Sequence, residues 1–206
     1  MNVPTPQKRR RLSPEKRKSL ILDHTAYIVA REGVSALSMD RIGKEAGISK
    51  SLVYTYFDNL TDLLRTLLQR ELKSLRKKQQ EEAESAETFE QLVRGVTHQY
   101  LKYIEERGML IERLQAEPSV AGGNDPTDYS RAEAVEYLAR LIEDNFNVPP
   151  KIAHAATDIS FGLPATAGAY YLHNNMPREE VEEIAATMIL GSFSALRNKH
   201  GQRLQK

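Results

Sequence analysis

With 206 residues, 40% of them hydrophobic, the chain can bury a real core, as one domain or as a small domain fused to a larger one. It has no cysteine, which excludes disulfides and thiolate metal sites, and no apolar run approaches the roughly 18 residues that span a bilayer. The net charge of +1 hides a split: residues 1–57 carry 11 Lys/Arg against 5 Asp/Glu and the remainder 18 against 23, so the N-terminal quarter is the part a polyanion would attract, unless it is only a solvated basic face.

Residues 1–12 read as a basic, flexible arm; "QKRRRLSPEKRKS" leads into no signal-peptide core, so a cytoplasmic protein without a membrane partner is expected. Ser13-Pro14-Glu15 reads as an N-cap followed by proline at the first helical position, and Gly33 as the C-cap of that first helix. Leu20, Ile21, Ala26, Ile28, Val29 and Ala30 are candidates for its buried side. Ser38 caps a second helix running to Ala46, Gly47 supplies a left-handed turn residue, and Ser49 caps a third helix ending near Phe57. Asn59 starts a fourth, whose apolar stripe is Leu63, Leu64, Leu67, Leu68, Leu72 and Leu75; "RKKQQEEAESAE" beyond it reads as a solvated helix end or connection.

Thr88 and Gln91 form a capping-box pattern before Phe89, Leu92, Val93, Val96, Tyr100, Leu101 and Ile104 at helical spacing, and Gly108 reads as an interruption. A shorter helix through "MLIERLQAE" stops at Pro118, followed by the loop "PSVAGGND". Asp125-Pro126 opens a helix with Tyr129, Val135, Leu138, Leu141, Ile142 and Phe146, and "NVPP" breaks it. Two long helices close the chain, about 151–174 and 177–199, with Pro164 kinking the first or sitting at a break. No internal repeat and no strand pattern of useful length is present, so the expected class is all-α.

The stretch "SMDRIGKEAGISKSLVYTYF" meets the demands of a helix-turn-helix: a small residue where the helices touch (Gly43), a glycine in the turn (Gly47) and apolar anchors at Ile42, Ala46, Ile48 and Val53. Ser49, Lys50, Ser51 and Thr55 are left as polar groups at the start of the second helix, able to reach base edges or phosphates in a major groove. With Ala30, Gly33, "VYTYF" and the capped, leucine-rich fourth helix, residues 20–68 resemble the DNA-binding domain of the TetR family of bacterial transcriptional regulators. The resemblance implies that Tyr54 and Tyr56 contact phosphates or bases and that Phe57 is a core residue. The DNA-binding set is then Ser38, Arg41, Ser49, Lys50, Ser51, Tyr54, Thr55 and Tyr56. Two departures stand out. The family often has a polar phosphate contact near the start of the fourth helix, where this chain reads "DNLTD", and Gly43 replaces the usual alanine at about 1 kcal/mol of helix propensity. "KRRR" at 8–11 could lie in an adjacent minor groove or stay a disordered basic tail.

The resemblance further implies a helix-turn-helix domain over 13–58, then a larger helical domain over 59–206. That second domain would bind a small-molecule effector and dimerise through its last two helices. Gly168, Ala169, Met188, Gly191, Ser192 and Ala195 are candidates for the homodimer interface, although small residues on terminal helices can equally serve packing inside one chain. Tyr100, Tyr103, Arg113, Tyr137, His154, Asp158 and Tyr170 are candidates for a mostly apolar effector pocket. Each tyrosine has a core reading as well, and His154 and Asp158, one turn apart, could be an exposed ion pair.

An enzyme finds no support. The five histidines, His24, His98, His154, His173 and His200, show no metal-ligand spacing, and there is no phosphate-binding glycine loop or nucleophile elbow, so no metal or cofactor is expected. The expected function is a ligand-responsive regulator, a dimeric repressor released from a palindromic double-stranded DNA operator by a small, largely apolar effector. The competing reading is a helical-bundle small-molecule binding protein without sequence-specific DNA binding.

Overall fold

The computed structural model describes residues 12–121 and 126–201. The basic run at 8–11, the "GGND" at 122–125 and the side chain of Tyr129 lie outside the described residues. Those residues form ten α-helices and a short 3-10 turn, with no strand among them.

Helix α1 (Pro14–Glu32) begins where the Ser13 hydroxyl accepts from the Lys16 amide and ends at Gly33, whose φ of 90° is available to glycine at little cost. It buries Ile21, Leu22, Thr25, Ala26, Ile28 and Val29, while Leu20 and Ala30 are half-buried. A 3-10 turn (Val34–Ala36) leads into α2 (Met39–Glu45), capped by Ser38, and then α3 (Lys50–Tyr54), capped by Ser49. Helix α3 is shorter than the sequence pattern suggests: it stops at Tyr54, with Thr55 as C-cap and Tyr56 and Phe57 in the turn beyond.

Asn59 opens α4 (Leu60–Ser85) by accepting the Asp62 amide at 2.9 Å. The solvated stretch after Leu75 continues as helix to Ser85, since glutamine, glutamate, lysine and alanine all have good helix propensity and nothing in it breaks the ladder. Two compact units divide between Leu67 and Leu68, inside α4.

In the second unit α5 (Phe89–Gln115) is the central element, packed against α9 and α10 and touching α6 and α7. Its Thr88/Gln91 capping box is complete. Gly108 does not interrupt the helix. A Cβ there would stand 2.7 Å from a Leu172 methyl and 3.0 Å from Ile104, so the glycine serves close helix approach. The first half of "PSVAGGND" is itself a single helical turn, α6 (Pro118–Ala121). After α7 (Pro126–Phe146), Asn147 takes a positive φ of 49° and the prolines reset the chain.

The expected helix over 151–174 is two helices, α8 (Pro150–Ser160) and α9 (Leu163–His173). Pro164 lies in the first turn of α9, where its missing N–H costs nothing; in mid-helix it would remove a hydrogen bond and clash with the preceding turn. The chain closes with α10 (Arg178–His200). One core joins Phe89, Leu92, Val93, Ile142, Ile189 and Phe193, with the Phe89 ring edge-on to Phe146 and Phe193 at 5.0 and 5.6 Å. A second, smaller cluster is built on Leu75, Tyr103 and Ile111.

Candidate nucleic-acid interface

The turn between α2 and α3 is set by backbone contact. A Cβ on Gly43 would lie 3.0 Å from the Ile48 carbonyl oxygen and 3.3 Å from the Lys50 nitrogen, and the Ile48 amide donates to the Gly43 carbonyl at 2.9 Å. Glycine therefore gives up helix propensity for a close crossing. Gly47, at φ 64°, supplies the left-handed residue of the turn.

A five-residue helix is far below the length that is stable alone, so packing holds α3 in place. Val53 and Phe57 are fully buried beneath it, as is Ile42 on α2. At its start the Ser49 hydroxyl accepts the Leu52 amide at 3.2 Å. Anchored on that side, α3 exposes Ser49, Lys50, Ser51, Tyr54 and Thr55. The Lys50 ammonium lies 5.9 Å from the Tyr54 ring centroid, and Tyr54 is 47% exposed. Ser49 and Ser51 share a hydrogen bond at 3.0 Å, and the Thr55 hydroxyl donates to the Ser51 carbonyl at 3.1 Å.

The remaining members of the expected set are tied more closely to the fold. The Ser38 hydroxyl caps α2 by accepting the Arg41 amide at 3.1 Å. Arg41 donates to the Ala36 carbonyl at 3.1 Å and to Glu32 at 2.7 Å; that charge-assisted bond lowers the Glu32 carboxyl from its ordinary value and raises the guanidinium. Tyr56 is half-buried, and its hydroxyl accepts from Arg17 on α1 at 3.3 Å.

The effector candidates are carried by four helices, α5, α7, α8 and α9. Tyr103 is buried, and its hydroxyl donates to the buried Glu71 at 2.8 Å; Tyr100 lies beside the same cluster, half-buried. Arg113 is half-buried on α5, and Tyr137 and Tyr170 are about half exposed on α7 and α9. His154 and Asp158 do not pair with each other: Asp158 binds Arg131 at 2.7 Å and His154 faces Glu136 at 3.9 Å, both on α7.

Of the interface candidates, Ala169, Met188, Gly191 and Ala195 are exposed and Ser192 is half-buried. Gly168 is buried against its own α5, where a Cβ would stand 2.8 Å from the Tyr100 ring. Among the described residues no group of three His, Asp or Glu side chains could hold a metal ion, and no helix is long and apolar enough to cross a membrane.

Two polar residues escaped the sequence reading. Glu71 occupies the apolar stripe of α4, one turn from Leu67 and one from Leu75, and is held by Arg70 at 2.9 Å and by Tyr103. Arg17 precedes Ile21 by one turn on the buried side of α1. A charge at a stripe position was the signal for both.

Residues 21–67 match the tetR family of bacterial regulatory proteins, a span that closes where the first compact unit ends. The HTH-type transcriptional activator FasR of Mycolicibacterium smegmatis is 24% identical over 186 residues, covering 86% of this chain and 82% of FasR. The fold resembles that of a Pseudomonas aeruginosa PAO1 protein described as a transcriptional regulator. That likeness has a TM-score of 0.75 at 15% identity and covers 92% of this chain and 96% of the other. It also resembles the TetR-like regulator LfrR of Mycobacterium smegmatis, solved in complex with proflavine, at TM-score 0.62 and 20% identity over 85% of this chain and 95% of LfrR. Residues 21–67 thus carry the helix-turn-helix domain of the tetR family of bacterial regulatory proteins.

Proposed function

We propose that the protein acts as a cytoplasmic homodimer that occupies a palindromic operator and leaves it when a small, largely apolar effector binds the second unit. The observation that carries this reading is the exposed row Ser49, Lys50, Ser51, Tyr54 and Thr55 on α3, seated on buried Val53 and Phe57 in the basic quarter of the chain. A helix presented in this way can enter a major groove, with short polar groups and a lysine at base edges and tyrosines at phosphates.

Dimerisation is supported by α10, where exposed Ile184, Met188, Gly191 and Ala195 fall at helical spacing on one face. Ala169 and Tyr170 on α9 are exposed as well. An organic effector is supported by the LfrR complex with proflavine. On this reading the effector shifts the population toward a dimer whose recognition helices no longer match successive half-sites, with α4, which runs through both units, as the lever. The sign of regulation is proposed as repression; FasR bears the name of an activator, and transcription from a promoter carrying the operator, with and without the protein, separates the two.

Selection of bound duplexes from a random DNA pool, followed by titration of the winner at several salt concentrations, tests the reading. A palindromic winner bound far more tightly than random DNA is the expected result. Uniform, salt-labile binding to every duplex would sink it in favour of a helical-bundle binding protein.

A further inference from the structure

The Arg17 guanidinium ties the residue before the α1 cap to the segment that follows α3. Its Nη1 donates to the Tyr56 hydroxyl at 3.3 Å, and its Nη2 donates to the Leu12 carbonyl at 3.2 Å, immediately before the Ser13 cap of α1. One residue along, the Lys18 ammonium lies 5.4 Å from the centroid of the Phe57 ring. The first turns of α1 thus hold the segment that follows α3 through two adjacent aromatic residues, one buried and one half-buried.

The chemistry of the Arg17–Tyr56 bond has a direction. A guanidinium has donors only, so the phenolic oxygen must be the acceptor and keeps its own proton. Among the described residues nothing accepts that proton, and the adjacent cation polarises the O–H toward donation. A phosphate oxygen is the acceptor that fits: anionic, with several lone pairs. A lysine could supply the charge, but not the planar fork that reaches a carbonyl and a hydroxyl at once.

We infer that Arg17 is a positioning residue for DNA binding: it fixes the Tyr56 hydroxyl and leaves its proton free for a phosphate. The inference rests on the reading of Tyr56 as a DNA contact. It differs from a direct phosphate contact by Arg17, because the guanidinium acts through the tyrosine.

The test is a double-mutant cycle on the full chain, with R17M, Y56F, the double variant and R17K titrated against the duplex that the protein selects from a random pool. Circular dichroism and thermal unfolding establish that each variant is folded. Y56F and R17M are each expected to weaken binding about tenfold, with the double variant no weaker than the worse single. R17K is expected to behave like R17M, since charge without the fork does not hold Tyr56. The salt slope of R17M should equal that of the wild type, because no phosphate charge is neutralised by Arg17 itself.

Losses that multiply in the double variant, full binding by R17K, or a slope reduced by about 0.9 in R17M would each overturn the inference while leaving Tyr56 a DNA contact. A Y56F variant that binds as well as wild type would overturn both the contact and the inference.

Discussion

At the scale of single residues, Glu71 is a carboxylate buried in the second unit. A carboxylate that is 5% exposed is tolerable only when its oxygens are satisfied, and here Tyr103 and Arg70 do that, with Arg107 at 3.9 Å. Removing the phenol with Tyr103→Phe should destabilise the chain by about 1.5 kcal/mol in urea unfolding near pH 8. Burial, the Glu71 charge and the hydrogen bond to it all push the Tyr103 hydroxyl above its ordinary value of 10.0. The native tyrosine therefore keeps its proton at a pH where the unfolded one has lost it. Its contribution is full below about pH 10 and declines as pH rises through that value. The gap between wild type and Tyr103→Phe should accordingly narrow from pH 8 to pH 11; a gap independent of pH would remove Glu71 and Tyr103 as a coupled pair. On α3, Lys50→Ala and Tyr54→Ala should leave thermal unfolding nearly unchanged, since both side chains are exposed. If Lys50 reads a base, its loss should cost about 1–3 kcal/mol of affinity for the selected duplex. Unchanged affinity in both variants would remove α3 as the recognition helix.

At the scale of elements, what was legible in the sequence was whatever a local signal dictates. Ser13, Ser38, Ser49, Asn59 and Thr88 all stand at helix starts, and Gly33 and Gly47 take the positive φ that their places demand. What was not legible depended on a partner helix. Gly108 reads as a breaker by propensity, yet it continues α5 because α9 approaches it through Leu172. Pro164, in contrast, sits at the break that its chemistry suggested, although 151–174 otherwise reads as one helix. The site was legible in the same proportion: the exposed row on α3 follows from spacing, whereas Arg17 and Arg41 show their contacts only once α1 is folded beside them. Gly108→Ala tests the packing explanation. In an exposed helix the change would stabilise by about 1 kcal/mol, but here the added methyl meets Leu172 and Ile104, and a net destabilisation of about 1–3 kcal/mol is expected. Pairing it with Leu172→Ala makes room for the methyl, so the double variant should lose less than the two single losses combined. Additive losses would mean that Leu172 is not what the methyl meets, and a Gly108→Ala variant at least as stable as the wild type would mean that Gly108 has no packing role.

At the scale of the whole molecule, charge and apolar surface are divided between different stretches of chain. Basic groups exceed acidic ones over residues 1–57, while the exposed apolar row Ile184, Met188, Gly191 and Ala195 lies on the last helix. Neither feature helps a lone chain: excess positive charge repels itself, and an exposed isoleucine and methionine on one face remain hydrated. Both become favourable in a dimer on DNA, where phosphates neutralise the first and a second copy covers the other. A symmetric interface amplifies any substitution, because the same residue enters from each side. On the proposed dimer Met188→Glu would place a carboxylate of each copy on the shared face, and since Met188 is 53% exposed within its own chain, the fold should be unaffected. Light scattering after size exclusion should give a mass near twice 23.3 kDa for the wild type and near 23.3 kDa for the variant, with equal circular dichroism. On the proposed palindromic operator, two half-sites one helical turn apart, about 34–36 Å, would be bridged only by a dimer. The variant should therefore lose at least about 100-fold in affinity for the palindrome while keeping its weak affinity for a single half-site. A wild type that runs as a monomer, or a variant that stays dimeric and binds in full, would move the interface off this face of α10.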